Sequence, residues 1–195
     1  MPHKNYPYYF TKRLIVPAGG GDCIYFKIYC NHSMADNIIK DHIKPWFDQL
    51  HLAGVSFTWF FIRYADPQFH LRIRIFSTEQ NILKIRTNFF VIVSVVNRHK
   101  KSWKIQEDTY NREWQRYGAE NMKNVEEYFY IDSKFVMDLI CKLSGSELQS
   151  LRWKIALIIV NNVLDDFALS ILQKAELMTS IDYSGKSDPL IPGMV

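Results

Sequence analysis

The segment Phe69-His70-Leu71-Arg72-Ile73-Arg74-Ile75 alternates apolar and polar residues at the period of a β-strand. Leu71, Ile73 and Ile75 therefore share one face, and His70, Arg72 and Arg74 share the other. Two guanidinium groups on one strand face suit bidentate capture of a carboxylate or a phosphate. Arg63, flanked by Ile62 and Tyr64, lies one hairpin turn earlier and adds a further cation to the same sheet. A solvated strand face with cross-strand charge pairs fits the same residues, and composition alone does not choose between the two. A second segment, Asp108-Thr109-Tyr110-Asn111-Arg112-Glu113-Trp114-Gln115-Arg116-Tyr117-Gly118, sets Glu113 and Arg116 at i,i+3 on a helix. Taken by itself that spacing describes a surface ion pair.

The other chemically able residues have duller readings. His3, His32, His42, His51 and His99 have no acid or nucleophile at a recognisable spacing. Ser133 after Asp132 reads as a helix cap and Cys30 as packing. Gly19-Gly20-Gly21 precedes a strand rather than a helix, so it is not a phosphate loop. Cys23, Cys30 and Cys141 form no CxxC pair and no metal-ligand spacing, so neither a disulfide scaffold nor a metal or cofactor is expected. With 48% apolar and 23% charged residues the chain is globular, not disordered. Its formal charge of +4 fits an anionic substrate, a peptide or RNA alike. No signal-length apolar segment opens the chain, and Ile155 to Val160 is too short to span a bilayer. A soluble, cytoplasmic protein is expected.

Elements that could hold these residues follow from periodicity and punctuation. Strands are expected over 22–30, 55–64, 69–76 and 103–108. One helix is expected over 34–52, started by Ser33, liable to a kink at Pro45 and ended by Gly54; another runs over 78–98, capped by Ser77 with Gln80. Asp66-Pro67 marks the turn between the middle strands. The order β-α-β-β-α-β predicts an α+β protein with a ferredoxin-like sheet, both helices on one face and the other face open. A helical C-terminal third follows, over 111–130, 133–143 and 146–179, the last capped by Ser144-x-x-Glu147. Residues 1–21 read as irregular and 180–195 as a loose tail, all within one domain.

Ile24-Tyr25-Phe26-Lys27-Ile28-Tyr29-Cys30, Trp59-Phe60-Phe61-Ile62-Arg63-Tyr64-Ala65-Asp66-Pro67 and His70-Leu71-Arg72-Ile73-Arg74 together resemble the lantibiotic dehydratase C-terminal domain, also called the thiopeptide-type bacteriocin biosynthesis domain. Thr109-Tyr110-x-x-Glu113-x-x-Arg116-Tyr117-Gly118 and Phe129-Tyr130-x-Asp132-Ser133 are similar to its next signatures, and the blocks run in family order over about residues 13–140. The resemblance implies a lyase. In full-length members a large N-terminal domain glutamylates Ser or Thr of a precursor peptide from glutamyl-tRNA, and this domain eliminates glutamate to leave a dehydroamino acid. Stand-alone relatives close the pyridine ring of thiopeptides instead.

The family's elimination residues carry over to Arg72, Arg74, Glu113 and Arg116. Arg63, His70 and Tyr110, inside the same blocks, are expected to contact substrate. The family's late catalytic histidine has no counterpart, since no histidine follows His99, and Ala119 stands where the family has glycine. The partners so implied are a precursor peptide and a separate tRNA-dependent glutamylating protein, with a homodimer left open. A non-catalytic peptide-binding partner or degenerate copy of the same fold is the competing reading. An RNA-binding sheet is a remoter one, because 69–76 lacks the glycine-punctuated RNA-recognition pattern.

Overall fold

The computed structural model describes residues 15–16, 21–98, 102, 104–143 and 145–186. The chain falls into two compact units, residues 1–143 and 144–195.

The first unit is built on an antiparallel sheet of β2 (Cys23–Tyr29), β3 (Thr58–Ala65), β4 (Phe69–Phe76) and β5 (Lys104–Glu107), in the order β3-β4-β2-β5. A small separate ribbon pairs β1 (Ile15–Val16) with β6 (Tyr110–Asn111). Register opposes Ile24 to Ile75, Phe26 to Ile73 and Ile28 to Leu71, and Trp59 to Ile75 across the next strand. Directly opposed residues share a face, so these side chains make one apolar face. Helices α1 (Ala35–Ile38) and α2 (Lys44–Leu52) and helix α3 (Glu79–Arg98) cover it. Phe89 of α3 stacks on Phe26 at 3.7 Å and meets Trp46 of α2 at 5.2 Å, while Phe47 of α2 meets Trp59 at 4.7 Å. Both helices therefore lie on one face, as the periodicity predicts. Burial of each such large side chain contributes about 1.5–3 kcal/mol.

The expected helix over 34–52 is instead a 3-10 turn (His32–Met34), α1, a π turn (Ile39–Ile43) and α2, with Pro45 in the first turn of α2. Proline cannot donate to the carbonyl four residues back, and a widened turn just before it accommodates the missing bond. Ser33 makes no side-chain cap, and Gly54 ends the helix at φ +71°. At the start of α3, Thr78 Oγ1 accepts the Asn81 N–H at 3.4 Å, whereas Ser77 Oγ donates to the Ser56 carbonyl at 2.6 Å. The cap thus sits one residue later than expected, because Ser77 is buried against the loop before β3. The Asp66–Pro67 peptide in the β3–β4 hairpin is cis.

The opposite sheet face departs most from expectation. It is half covered, by β6 and by α5 (Met122–Lys142), against which α4 (Trp114–Tyr117) packs. Cys23, Tyr25, Phe60, Phe76 and Tyr110 form a buried cluster there, with Phe129 of α5 packed against it. The expected break between helices at 131–133 does not occur. Ser133 lies mid-helix, and its hydroxyl accepts the Phe61 N–H at 3.1 Å, so α5 seals the outer edge of β3.

The second unit contains α6 (Gly145–Asp166) and α7 (Ile171–Lys186). The single helix expected over 146–179 is broken at Ala168, whose φ is +55°. Ser170 and Gln173 restart it with a reciprocal capping box: Ser170 N–H to Gln173 Oε1 at 2.8 Å, and Gln173 N–H to Ser170 Oγ at 3.3 Å. The tail expected to be loose from Ser180 is helical to Lys186. The proposed Ser144 cap and residues 187–195 lie outside the described residues, as does most of the expected irregular segment 1–21. Among the described residues no helix is long and apolar enough to cross a membrane.

Candidate functional site

β4 places His70, Arg72, Arg74 and Phe76 on the half-covered face. By register their neighbours are Tyr29, Lys27, Tyr25 and Cys23 of β2, and Tyr64, Ile62, Phe60 and Thr58 of β3. Arg72 and Arg74 thus share a face, but they occupy different surroundings.

Arg74 lies in the covered half and is only 8% exposed. Its guanidinium carbon stands 4.5 Å from the centre of the Tyr25 ring, 4.7 Å from that of Tyr110 and 5.1 Å from that of Phe60. Its Nε and Nη1 have no hydrogen-bond acceptor, and among the described residues no carboxylate pairs with it. Burial pulls its pKa below the ordinary arginine value, although it stays a cation. Aromatic faces offset part of the desolvation cost, and the two donors without an acceptor are buried among the rings.

Tyr110 is held in that box from below. Its hydroxyl hydrogen-bonds the Glu126 carboxylate, and burial drives its pKa far above the usual tyrosine range. Glu126 Oε1 accepts Arg112 Nε at 2.8 Å, and Asp22 stands 3.7 Å from Arg112 Nη2. The Arg112 and Glu126 side chains are 1% and 0% exposed. Burial raises the Glu126 pKa against the opposing pull of Arg112 and the Tyr110 hydrogen bond. These ionic residues were not singled out from sequence. One signal was available: Met122, Glu126, Phe129, Ser133, Met137 and Ile140 follow one helical stripe, and a glutamate on an apolar stripe is a buried carboxylate that needs a partner. Arg112 sits beside Glu113, and nothing in the spacing marks which of the two is buried.

Arg72 lies in the more open half. Its guanidinium carbon is 3.5 Å from the centre of the Tyr64 ring, and its Nε–H donates to His70 Nε2 at 3.0 Å. Among the described residues it has no carboxylate partner. Lys27 adds charge one strand away and is paired with Asp108, whose carboxyl is held below the usual range by Lys27 and the Thr109 N–H despite its burial. Lys104 lies over Tyr29 at 4.9 Å. This half is a basic surface floored by tyrosine rings.

The remaining expected site residues are placed elsewhere. Arg63 opposes Leu71, so its side chain is on the helix-covered face, where it pairs with Asp36 of α1. Odd spacing from the Arg72 register sends it to the wrong side of the sheet for a shared anion. Glu113 and Arg116 pair with each other at 3.3 Å, 60% and 71% exposed, with Arg116 against the Tyr117 ring. The structure joins them to each other, not to Arg72 or Arg74. Tyr110, His70, Arg72 and Arg74 are the expected residues that it gathers on one face.

Comparison with known proteins agrees with the residue blocks. A family model described as lantibiotic biosynthesis dehydratase C-term matches residues 24–188. The subtilin biosynthesis protein SpaB of Bacillus subtilis is 24% identical over 161 residues, taking in 76% of this chain and 14% of SpaB. The crystal structure of the tRNA dependent lantibiotic dehydratase MibB from Microbispora sp. 107891 matches 65% of this chain and 12% of its own, with a TM-score of 0.57 and 22% identity. That level of identity shows likeness of fold. The chain spans a small part of the length of both relatives.

Proposed function

The chain belongs to the lantibiotic biosynthesis dehydratase C-terminal family, and from that premise we propose that its half-open sheet face binds a glutamylated Ser or Thr residue of a precursor peptide, as the glutamate-eliminating component of a lantibiotic or thiopeptide-type dehydratase. The observation that carries this reading is the pair Arg72 and Arg74: two cations on one face, both backed by aromatic rings and neither paired with a carboxylate among the described residues. A glutamyl ester carries an α-ammonium and a γ-carboxylate, and a guanidinium fork suits the carboxylate. Tyrosine rings beside Lys27 and Arg72 offer amphipathic floor for the peptide. We read the unit from β2 to β5, with strand order β3-β4-β2-β5, as a ferredoxin-like sheet whose second face this site occupies. A tRNA-dependent glutamylating activity would supply the substrate.

Elimination removes the α-proton of the modified residue and expels glutamate, so it needs a base and stabilisation of the developing enolate. Arg72 and Arg74 suit the second role. The two candidate bases among the described residues are both engaged: His70 Nε2 by Arg72, and Glu113, which is exposed, by Arg116. That observation favours a second reading, in which this chain binds the glutamylated peptide and turns it over slowly or not at all. Mass spectrometry of a glutamylated precursor incubated with the protein separates the two, alongside binding of an amide analogue that cannot eliminate. Binding that Arg72→Ala weakens at least about tenfold is expected. Absence of binding by the unaltered protein refutes the site; rapid, complete loss of glutamate refutes the slow-turnover reading.

A further inference from the structure

His70 is almost wholly buried at the start of β4, and both its ring nitrogens are committed. Nδ1 lies 2.7 Å from the Gln68 carbonyl oxygen, and Nε2 lies 3.0 Å from Arg72 Nε. A carbonyl can only accept and an arginine Nε–H can only donate, so the pair of bonds specifies one state: neutral imidazole, proton on Nδ1, lone pair on Nε2. Tyr29 of β2 stacks on the ring at 4.8 Å and Tyr64 of β3 meets it at 5.8 Å, edge-on. The same Tyr64 lies against the Arg72 guanidinium. Imidazole and phenol therefore hold the guanidinium in both remaining degrees of freedom, in-plane at Nε and face-on at the ring.

We propose that His70 is a positioning residue, whose neutral imidazole fixes the Arg72 guanidinium against Tyr64 and leaves the two Nη groups as the donors for a ligand carboxylate. The inference deepens the peptide-binding reading above and, in its ligand arm, rests on it. Orientation matters because a planar fork loses less freedom per bond when it is already held. Protonation of His70 would set an N–H against the Arg72 N–H, breaking the bond and placing two cations in contact. The groups that face the imidazole agree on the direction. Burial comes first, and Arg72 and Lys27 add to it; the Gln68 carbonyl and Asp66 oppose, and the balance lowers the His70 pKa. Arg72 is thus held at neutral pH and released in acid.

The test uses the full chain, with His70→Ala, His70→Gln and the non-eliminable glutamyl-diaminopropionyl peptide as probe. Glutamine reaches about as far as Nε2 and offers an acceptor that does not titrate. Long-range 1H–15N spectra report the imidazole tautomer and the Arg72 Nε–H without any ligand. The expected result is the Nδ1–H tautomer at about pH 7.5, and an Arg72 Nε–H signal shifted in His70→Ala and retained in His70→Gln. Peptide affinity should fall about tenfold in His70→Ala and stay within about threefold in His70→Gln, and its acid-side decline should disappear in both variants, since neither side chain titrates there. An Nε2–H tautomer, or an unmoved Arg72 signal in His70→Ala, overturns the proposal. So does a pH profile that is the same in His70→Gln as in the unaltered protein. If the spectra are as expected and the unaltered protein does not bind the peptide, the positioning role is upheld and the peptide-binding reading falls.

Discussion

Arg112→Ala probes the ionic support beneath the site. The substitution removes the guanidinium bonded to Glu126 at 2.8 Å and approached by Asp22 at 3.7 Å. Glu126 is left with its side chain fully buried and, among the described residues, the Tyr110 hydroxyl as its hydrogen-bond partner. Breaking a buried ion pair by deleting one member costs about 3–5 kcal/mol, a large part of the roughly 5–15 kcal/mol that a domain has. The cost should depend on pH. Glu126 already has a pKa raised by burial, and without Arg112 the main charge opposing the rise is gone. A carboxyl whose folded pKa exceeds its unfolded value makes the folded state bind more protons. Stability of the variant therefore declines as pH rises from the unfolded glutamate value of about 4.3 toward the folded one, by up to about 1.4 kcal/mol per pH unit. Urea unfolding followed by tryptophan fluorescence, at about pH 5 and about pH 7.5, measures this. The difference from the unaltered protein should be several kcal/mol at the higher pH and should shrink at the lower. Replacing both partners by apolar residues, Arg112→Met with Glu126→Leu, should recover most of the loss. A loss below about 1 kcal/mol, or one independent of pH, would refute the view that an ionised carboxylate is buried there.

Ser133→Ala should cost about 1–2 kcal/mol, because the Phe61 N–H at the β3 edge loses its acceptor, and that amide should exchange hydrogen faster than its neighbours. Phe89→Ala should cost about 3–5 kcal/mol in urea unfolding, since its ring stacks on Phe26 and packs at a tilt against Trp46 in the helix-covered core. Ser170→Ala should cost the second unit about 1 kcal/mol, seen as faster exchange confined to the first turn of α7, while leaving peptide binding to the first unit unchanged.

The alternation of β4, the aromatic run of β3 and the amphipathic stripe of α3 are properties of short windows, and they determine element type and facing from sequence alone. That is why the strands, the shared face of Arg72 and Arg74, and the docking of both helices on the other face were legible before any coordinates. The residue blocks also carried the family. Register and burial were not legible, because both depend on residues far apart in the chain. Arg63 falls on the wrong side of the sheet for the site because its pairing opposes it to Leu71, a relation between strands rather than within one. Of the neighbours Arg112 and Glu113, one is buried and one exposed, because Glu126, 14 residues along the chain, reaches the first. The covering of half the open face by β6 and α5 likewise decides that Arg74 is boxed by rings while Arg72 remains accessible. Local spacing sets which way a side chain points; the desolvation and partners it meets there are set by what the rest of the chain packs against it.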